Sequence, residues 1–250
     1  MTQPLFRGAA TALVTPLRDG KVDVDALRRL VEQQLENGVA ALVSCGTTGE
    51  PSTLSLEERE LVIRETVKAV NGRVPVICGT GANCTQTVID NEHRFRDLGC
   101  AAQLVVTPYY NKTSQAGLLA HYTAIADAVH IPCILYNVPS RTGCNLTPAT
   151  LAELAKHPNI NAVKEASGNI SHVAEIAAAC GDSLNIYSGN DDQIVPLLAL
   201  GGKGVISVVS NVAPELVHNC CQAFFDGDTA KARDLQLEML PLSDALFCEV

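Results

Sequence analysis

The stretch Pro132–Asn169, PCILYNVPSRTGCNLTPATLAELAKHPNINAVKEASGN, decides how this chain should be folded. It opens on a short apolar run, Pro132–Asn137, and closes on another, Asn161–Glu165. Between them Thr147-Pro148 places proline at the first position of a helical stretch. The length and β-branched content of the two runs suit strands covered on both faces, as in a parallel sheet. Strand, helix and parallel strand is therefore the expected unit.

The same plan recurs on both sides. Further apolar runs occupy Ala9–Pro16, Ala41–Cys45, Pro75–Gly79, Gln103–Pro108, Leu184–Ser188 and Gly204–Val209, making eight in all. Helix signals separate them. Ser55-Leu-Glu-Glu58 reads as a capping box, Ala213-Pro214 as another proline start, and Gly38 as the stop of a helix over Asp25–Asn37. Eight alternations in 250 residues, with no linker or composition shift, predict an α/β chain folded as one (β/α)8 TIM barrel over residues 1–226. A last helical stretch, Thr229 to about Leu240, predicts the start of a C-terminal helical appendage over residues 227–250.

Composition narrows the function. The 18 basic residues against 27 acidic give a net charge of −9, which disfavours nucleic acid and anionic membrane as partners. No apolar run approaches the roughly 18 residues needed to span a bilayer, and the start lacks the order of a signal peptide. A cytoplasmic setting is expected. The ten cysteines contain no Cys-x-x-Cys pair, and reading them as reduced core residues is the simplest account. No histidine pair supports a zinc site, so no metal is expected.

Active sites of such barrels lie where the strands end, on the loops that follow. Those positions can be read directly. They include Gly46-Thr47-Thr48-Gly49-Glu50, Gly79–Asn83, Tyr109-Tyr110-Asn111, Tyr136 to Gly143, Lys164-Glu165, Gly189-Asn190-Asp191 and Ser207. Gly79–Cys84 lacks the third glycine of a dinucleotide loop, and Gly201–Gly204 lacks the Ser or Thr that ends a P-loop. Asp191-Asp192 suits a helix start, where carboxylates serve the dipole.

Lys164 on local grounds is a lysine whose stem packs on the rim while its amine reaches water. Its register changes that reading. A lysine desolvated in the apolar mouth of a barrel disfavours its charged form and presents an amine able to attack a carbonyl. Tyr136, on the neighbouring strand end, can shuttle the protons that Schiff-base formation requires, and a threonine hydroxyl can relay them. Arg141 suits bidentate capture of a substrate carboxylate, and Thr47 and Thr48 offer hydroxyls and N–H groups for a second one. Glu165 should point to the opposite face of its strand, leaving Lys164 unpaired.

Four motifs in register, Gly46–Glu50, Tyr109–Asn111, Tyr136–Gly143 and Lys164–Asn169, closely resemble the 4-hydroxy-tetrahydrodipicolinate synthase (dihydrodipicolinate synthase) family. That family belongs to the pyruvate-dependent aldolase/lyase superfamily. The resemblance runs from about Phe6 to the end of the chain. It implies a lyase of diaminopimelate and lysine biosynthesis that condenses pyruvate with L-aspartate 4-semialdehyde, with no metal or organic cofactor. It implies Lys164 as the Schiff-base residue, Tyr136 as proton donor and acceptor, and Thr47 and Tyr110 as its relay. Tyr110 would reach in from the partner of a tight dimer. It implies Thr48 at the pyruvate carboxylate, Ile206 lining that site, Arg141 on the semialdehyde carboxylate and Gly189 lining the pocket. The implied assembly is a homo-oligomer, a dimer or the homotetramer made of two dimers.

N-acetylneuraminate lyases and 2-keto-3-deoxy-sugar-acid aldolases share the tyrosine and lysine but generally lack the Ser-Arg-Thr-Gly continuation. One of these is the alternative, with a truncated, weakly active or inactive binding protein as another. Two departures from the family pattern carry expectations. Family members usually continue past Phe247–Val250 into further helices, which predicts lowered stability or weaker assembly here. The Cys84–Val88 stretch lacks the acid of lysine-inhibited members, and Leu56 and Arg59 replace the usual effector-site histidines, which predicts insensitivity to lysine.

Overall fold

The protein, seen here as a computed structural model, is described over residues 2–249. Met1 and Val250, the outer limits of the two units expected from the sequence, lie outside the described residues.

All eight expected strands form. They are β1 (Gly8–Ala12), β4 (Ala41–Ser44), β5 (Val76–Gly79), β6 (Ala102–Val106), β7 (Cys133–Asn137), β8 (Ile160–Glu165), β9 (Asn185–Ser188) and β10 (Gly204–Ser207). Every neighbour is parallel, and the sheet closes through β1 against both β4 and β10. The chain is a (β/α)8 TIM barrel. A small hairpin, β2 (Leu17–Arg18) and β3 (Lys21–Val22), stands outside it.

Helices cover the barrel as α1 (Val24–Glu36), α2 (Leu56–Val70), α3 (Thr85–Phe95) and α4 (Gln115–Ala128). After the one-turn α5 (Pro139–Thr142) come α6 (Pro148–Leu154), α7 (Ile170–Cys180), α8 (Ile194–Ala199), α9 (Pro214–Phe225) and α10 (Thr229–Leu246). The start signals behave as read. Ser55 and Glu58 exchange both bonds of a capping box, and Pro148 and Pro214 open their helices. No helix among the described residues is long and apolar enough to cross a membrane.

One boundary differs from the sequence reading. The last helix runs to Leu246 rather than stopping near Leu240, with Pro241 inside it. Proline removes one helical hydrogen bond. Leu242 and Leu246 beyond it pack on the cluster of Ile194, Val217 and Met239, and that burial favours continuing the helix.

Side chains alternate between the barrel interior and the helix layer. Inside lie Val43, Ile77, Leu104, Ile134, Tyr136, Tyr187 and Ile206. Tyr187 plugs the N-terminal end: its ring stacks on Phe6 at 4.2 Å and its hydroxyl donates to the Phe6 carbonyl at 2.8 Å. Eight cysteines are buried and all ten are free. Cys84 and Cys248 depart from the core reading, being exposed. Cys84 stands at the N-cap of α3, where N–H groups, chiefly that of Thr87, hold its thiol below the usual range.

Glu92, on α3, is 1% exposed, and neither carboxylate oxygen has a hydrogen-bond partner among the described residues. Burial pushes its carboxyl above the ordinary value of 4.5, against the pull of His93, Arg96 and His130. A raised acid stabilises the fold fully below its unfolded value and loses that contribution as pH rises through the folded one. Glu92→Met should therefore be more stable than the parent at alkaline pH, by about 1–3 kcal/mol, with the gap closing on acidification. Denaturant titrations at both ends of the range check this, and equal stabilities at high pH would refute it.

Candidate active site

The C-terminal ends of the strands surround a cleft of about 680 Å³ lined by Thr47, Thr48, Tyr136, Arg141, Lys164 and Gly189, among others. Tyr136 and Lys164 are register partners on β7 and β8, so parity sends both side chains into the barrel. The Lys164 Nζ sits 4.4 Å from the centroid of the Tyr136 ring. Lys164 is only 4% exposed and forms no ion pair among the described residues.

The next residue pair points the other way. Asn137 Nδ2 donates to Glu165 Oε2 at 2.8 Å, and the Ser167 N–H donates to Glu165 Oε1 at 2.8 Å. His172 of α7 lies 3.9 Å from the same carboxylate. Glu165 is thus occupied outside the barrel, as strand alternation required, and the adjacent amine is left unpaired.

Gly189 sets the lysine's seat. A Cβ there would lie 2.6 Å from the Ala166 Cβ and 2.9 Å from the Lys164 Cε. Only a residue without a side chain lets the lysine stem pass. The Thr47–Gly49 turn is also tightly specified. Cys45, just before it, has φ +56°, an uncommon left-handed conformation for a residue with a side chain. A Cβ on Gly79 would come within 2.0 Å of the Cys45 carbonyl oxygen, so β5 must approach with glycine. Thr15 Oγ1 donates to the Gly49 carbonyl at 2.7 Å and closes the turn from the β1 side.

Arg141 rides on the single turn of α5. Thr107 Oγ1 donates to Thr142 Oγ1 at 3.1 Å, and Thr142 in turn donates to the carbonyls of Val138 and Cys144. That network ties α5 to the end of β6 and holds Arg141 at the rim.

Two expected site residues stand apart from the cleft wall. Ile206 is fully buried in the interior cluster, opposite Ala10 in register. Tyr110 is 91% exposed at φ +69° and is not part of the cleft lining. No hydrogen bond joins Thr47 to Tyr136 among the described residues, although both line the same space.

The sequence reading missed part of the wall. Ser243, Asp244, Leu246 and Phe247, at the far end of α10, close one side of the cleft. They lie beyond Pro241, where the helix was expected to have ended. Asp191 stands in the first turn of its helix, as expected, and also lines the cleft. Its carboxylate turns from its own helix toward β10, accepting from Ser207 Oγ at 2.5 Å and from the Val208 and Val209 N–H groups at 3.0 and 3.2 Å. Only the fold brings those donors near. Among the described residues no cluster of His, Cys, Asp and Glu could hold a metal.

Comparison with known proteins bears on this constellation. The model of the Dihydrodipicolinate synthetase family matches residues 5–250. The chain belongs to this family. The 4-hydroxy-tetrahydrodipicolinate synthase of Clostridium perfringens is 51% identical over 245 residues, covering 98% of this chain and 84% of the relative. The family's dihydrodipicolinate synthase from Thermotoga maritima superposes with a TM-score of 0.97 at 42% identity, over 99% of this chain and 85% of that one. The chloride-inhibited enzyme of Acinetobacter baumannii, solved in complex with pyruvate, gives 0.95 at 44% identity, over 97% and 84%.

Proposed function

We infer that this chain is a 4-hydroxy-tetrahydrodipicolinate synthase, a lyase that condenses pyruvate with L-aspartate 4-semialdehyde in the diaminopimelate route to lysine. The pairing of Lys164 with Tyr136 at the floor of the cleft, in a chain so similar to enzymes of that name, is the observation that carries this reading.

The chemistry follows from the groups present. The Lys164 amine adds to the ketone carbon of pyruvate, and the carbinolamine expels water to leave an iminium. Loss of a methyl proton gives the enamine, whose carbon attacks the aldehyde of the semialdehyde. The substrate's own amine then displaces Lys164 from the iminium carbon, closing the ring and returning the free lysine. Tyr136, within reach of the nitrogen, donates and accepts the protons, with Thr47 and Tyr110 of a second copy as its relay. Thr48 holds the pyruvate carboxylate, Ile206 and Gly189 shape its seat, and Arg141 takes the semialdehyde carboxylate. Support for a second copy comes from Tyr110, a nearly naked aromatic side chain on a left-handed residue. We place the working enzyme, a homo-oligomer, in the cytosol, in keeping with its ten free cysteines.

Borohydride reduction in the presence of pyruvate, followed by peptide mapping, tests the reading. A pyruvyl adduct on Lys164 is expected, and folded protein without one would overturn it. A coupled assay with aspartate semialdehyde against sugar aldehydes then separates the synthase from the related aldolases.

Lysine itself is expected not to inhibit. A second cavity of about 470 Å³ shares Thr47, Tyr136 and Arg141 with the cleft and is lined by Arg59, Asn83 and Thr87. Arg59 presents a cation there where an ammonium-binding site needs an acid, and like charges repel. Initial rates at millimolar lysine check this, and dose-dependent inhibition would contradict it.

A further inference from the structure

Among the described residues, Asp191 is the one cleft-lining carboxylate that is buried, at 1% exposure. It stands two residues after Gly189, the residue against which the Lys164 stem packs. Its position is fixed from three directions. Ser207 at the end of β10 holds one oxygen, the Val208 and Val209 N–H groups hold the other, and Ser207 Oγ is itself held by the Ser210 N–H at 2.9 Å. From outside the barrel, Gln236 of α10 donates to the Asp191 carbonyl at 2.8 Å and accepts from the Val195 N–H at 3.1 Å. The last helix thereby anchors the loop that carries this carboxylate.

An anion this well held costs desolvation, which the three donors offset. Burial pushes the carboxyl upward, while Ser207, the two N–H groups and the charge of Lys164 pull it down. Both oxygens accept hydrogen bonds, the pattern of an ionised carboxylate. The other charges facing the cleft are Glu50 after the Thr47–Gly49 turn, Arg141 on α5, Asp192 beside Asp191, and Asp244 on α10. These are exposed to water, which weakens their reach. Tyr136 faces Lys164 from β7, Tyr187 is its register partner on β9, and burial, with help from the Asp191 charge, holds the Cys221 thiol of α9 up. Glu165 is engaged outside the barrel.

We propose that Asp191 is a positioning residue for the reaction, a fixed buried anion that stabilises positive charge on the Lys164 nitrogen, in the ammonium and in the iminium. The proposal rests on the Schiff-base reading above. It assigns to the Ser207–Asp191–Gln236 chain a job that loop geometry alone would not need, since the amine receives no direct ion pair.

Asp191→Asn tests it. The amide can flip so that its oxygen accepts from Val208 and Val209 while its NH2 donates to Ser207, so the loop keeps its bonds. With the charge gone, the amine is less readily held as ammonium. The acidic limb of kcat/KM for pyruvate should move down by about one pH unit. The poorer iminium should lower kcat about tenfold. A drop in kcat with the acidic limb unmoved would mean a structural role only and would overturn the proposal. Ser207→Ala, which removes a donor that favours the ionised form and so leaves less of the anion at the acidic limb, should move the limb in the same direction by less, and it serves if the asparagine variant does not fold. An unmoved limb there would likewise refute it. Borohydride trapping on the parent enzyme keeps the two ideas apart: an adduct on Lys164 together with an unmoved limb defeats the proposal and leaves the Schiff-base reading standing.

Discussion

Lys164→Ala is expected to lose the pyruvyl adduct entirely and to lower kcat by about a thousandfold or more, with the fold intact. The side chain is buried and makes no ion pair among the described residues, so its removal breaks no salt bridge of the fold. It leaves a space beside Tyr136 where the nucleophile stood. The neighbouring substitution gives the contrast. Glu165→Gln should weaken the bonds to Asn137 and Ser167 and cost about 1–2 kcal/mol of stability, yet spare the adduct. Intact mass after borohydride treatment reads both variants. Adduct on the alanine variant, or its loss from the glutamine variant, would sink the assignment of roles to these adjacent residues.

Gly189→Ala is expected to lower kcat by about a hundredfold while the nucleophile itself remains. The added methyl would meet the Ala166 Cβ at 2.6 Å and the Lys164 Cε at 2.9 Å. Ala166 is held by its backbone, so the flexible lysine stem must give way. Displacement of about 1 Å at the reacting nitrogen carries a loss of that order. Overpacking should also cost about 1–3 kcal/mol of stability. Steady-state kinetics with a thermal melt decide the matter, and a variant with parental kcat would show that glycine is not needed for the lysine's seat.

The strand ends were legible because a parallel barrel buries both faces of each strand. Its apolar runs then stand out between helix signals such as Ser55–Glu58 and Thr147-Pro148. Lys164, Tyr136, Thr47, Thr48 and Arg141 could be placed at one mouth from register alone, and the structure brings all five to one cleft. The side of that cleft closed by the last helix was not legible. Pro241 reads locally as the end of a helix, and only the packing of Leu242 and Leu246 against distant residues carries the helix past it to Leu246. The partners of the Asp191 carboxylate were not legible for a similar reason. The backbone donors that claim its carboxylate lie on the next strand end, 17 and 18 residues away.

The sequence by itself determined the barrel, the order of its strands and the direction in which Lys164 and Glu165 point. These follow from periodicity, which is a local property of the chain. Tertiary structure alone decided that Gly189 clears the path of the lysine, that Asp191 faces the cleft, and that the last helix forms one of its walls. Such relations depend on close approach between segments far apart in sequence, where one methyl group or one unpaired N–H settles the outcome, and no local pattern encodes that distance.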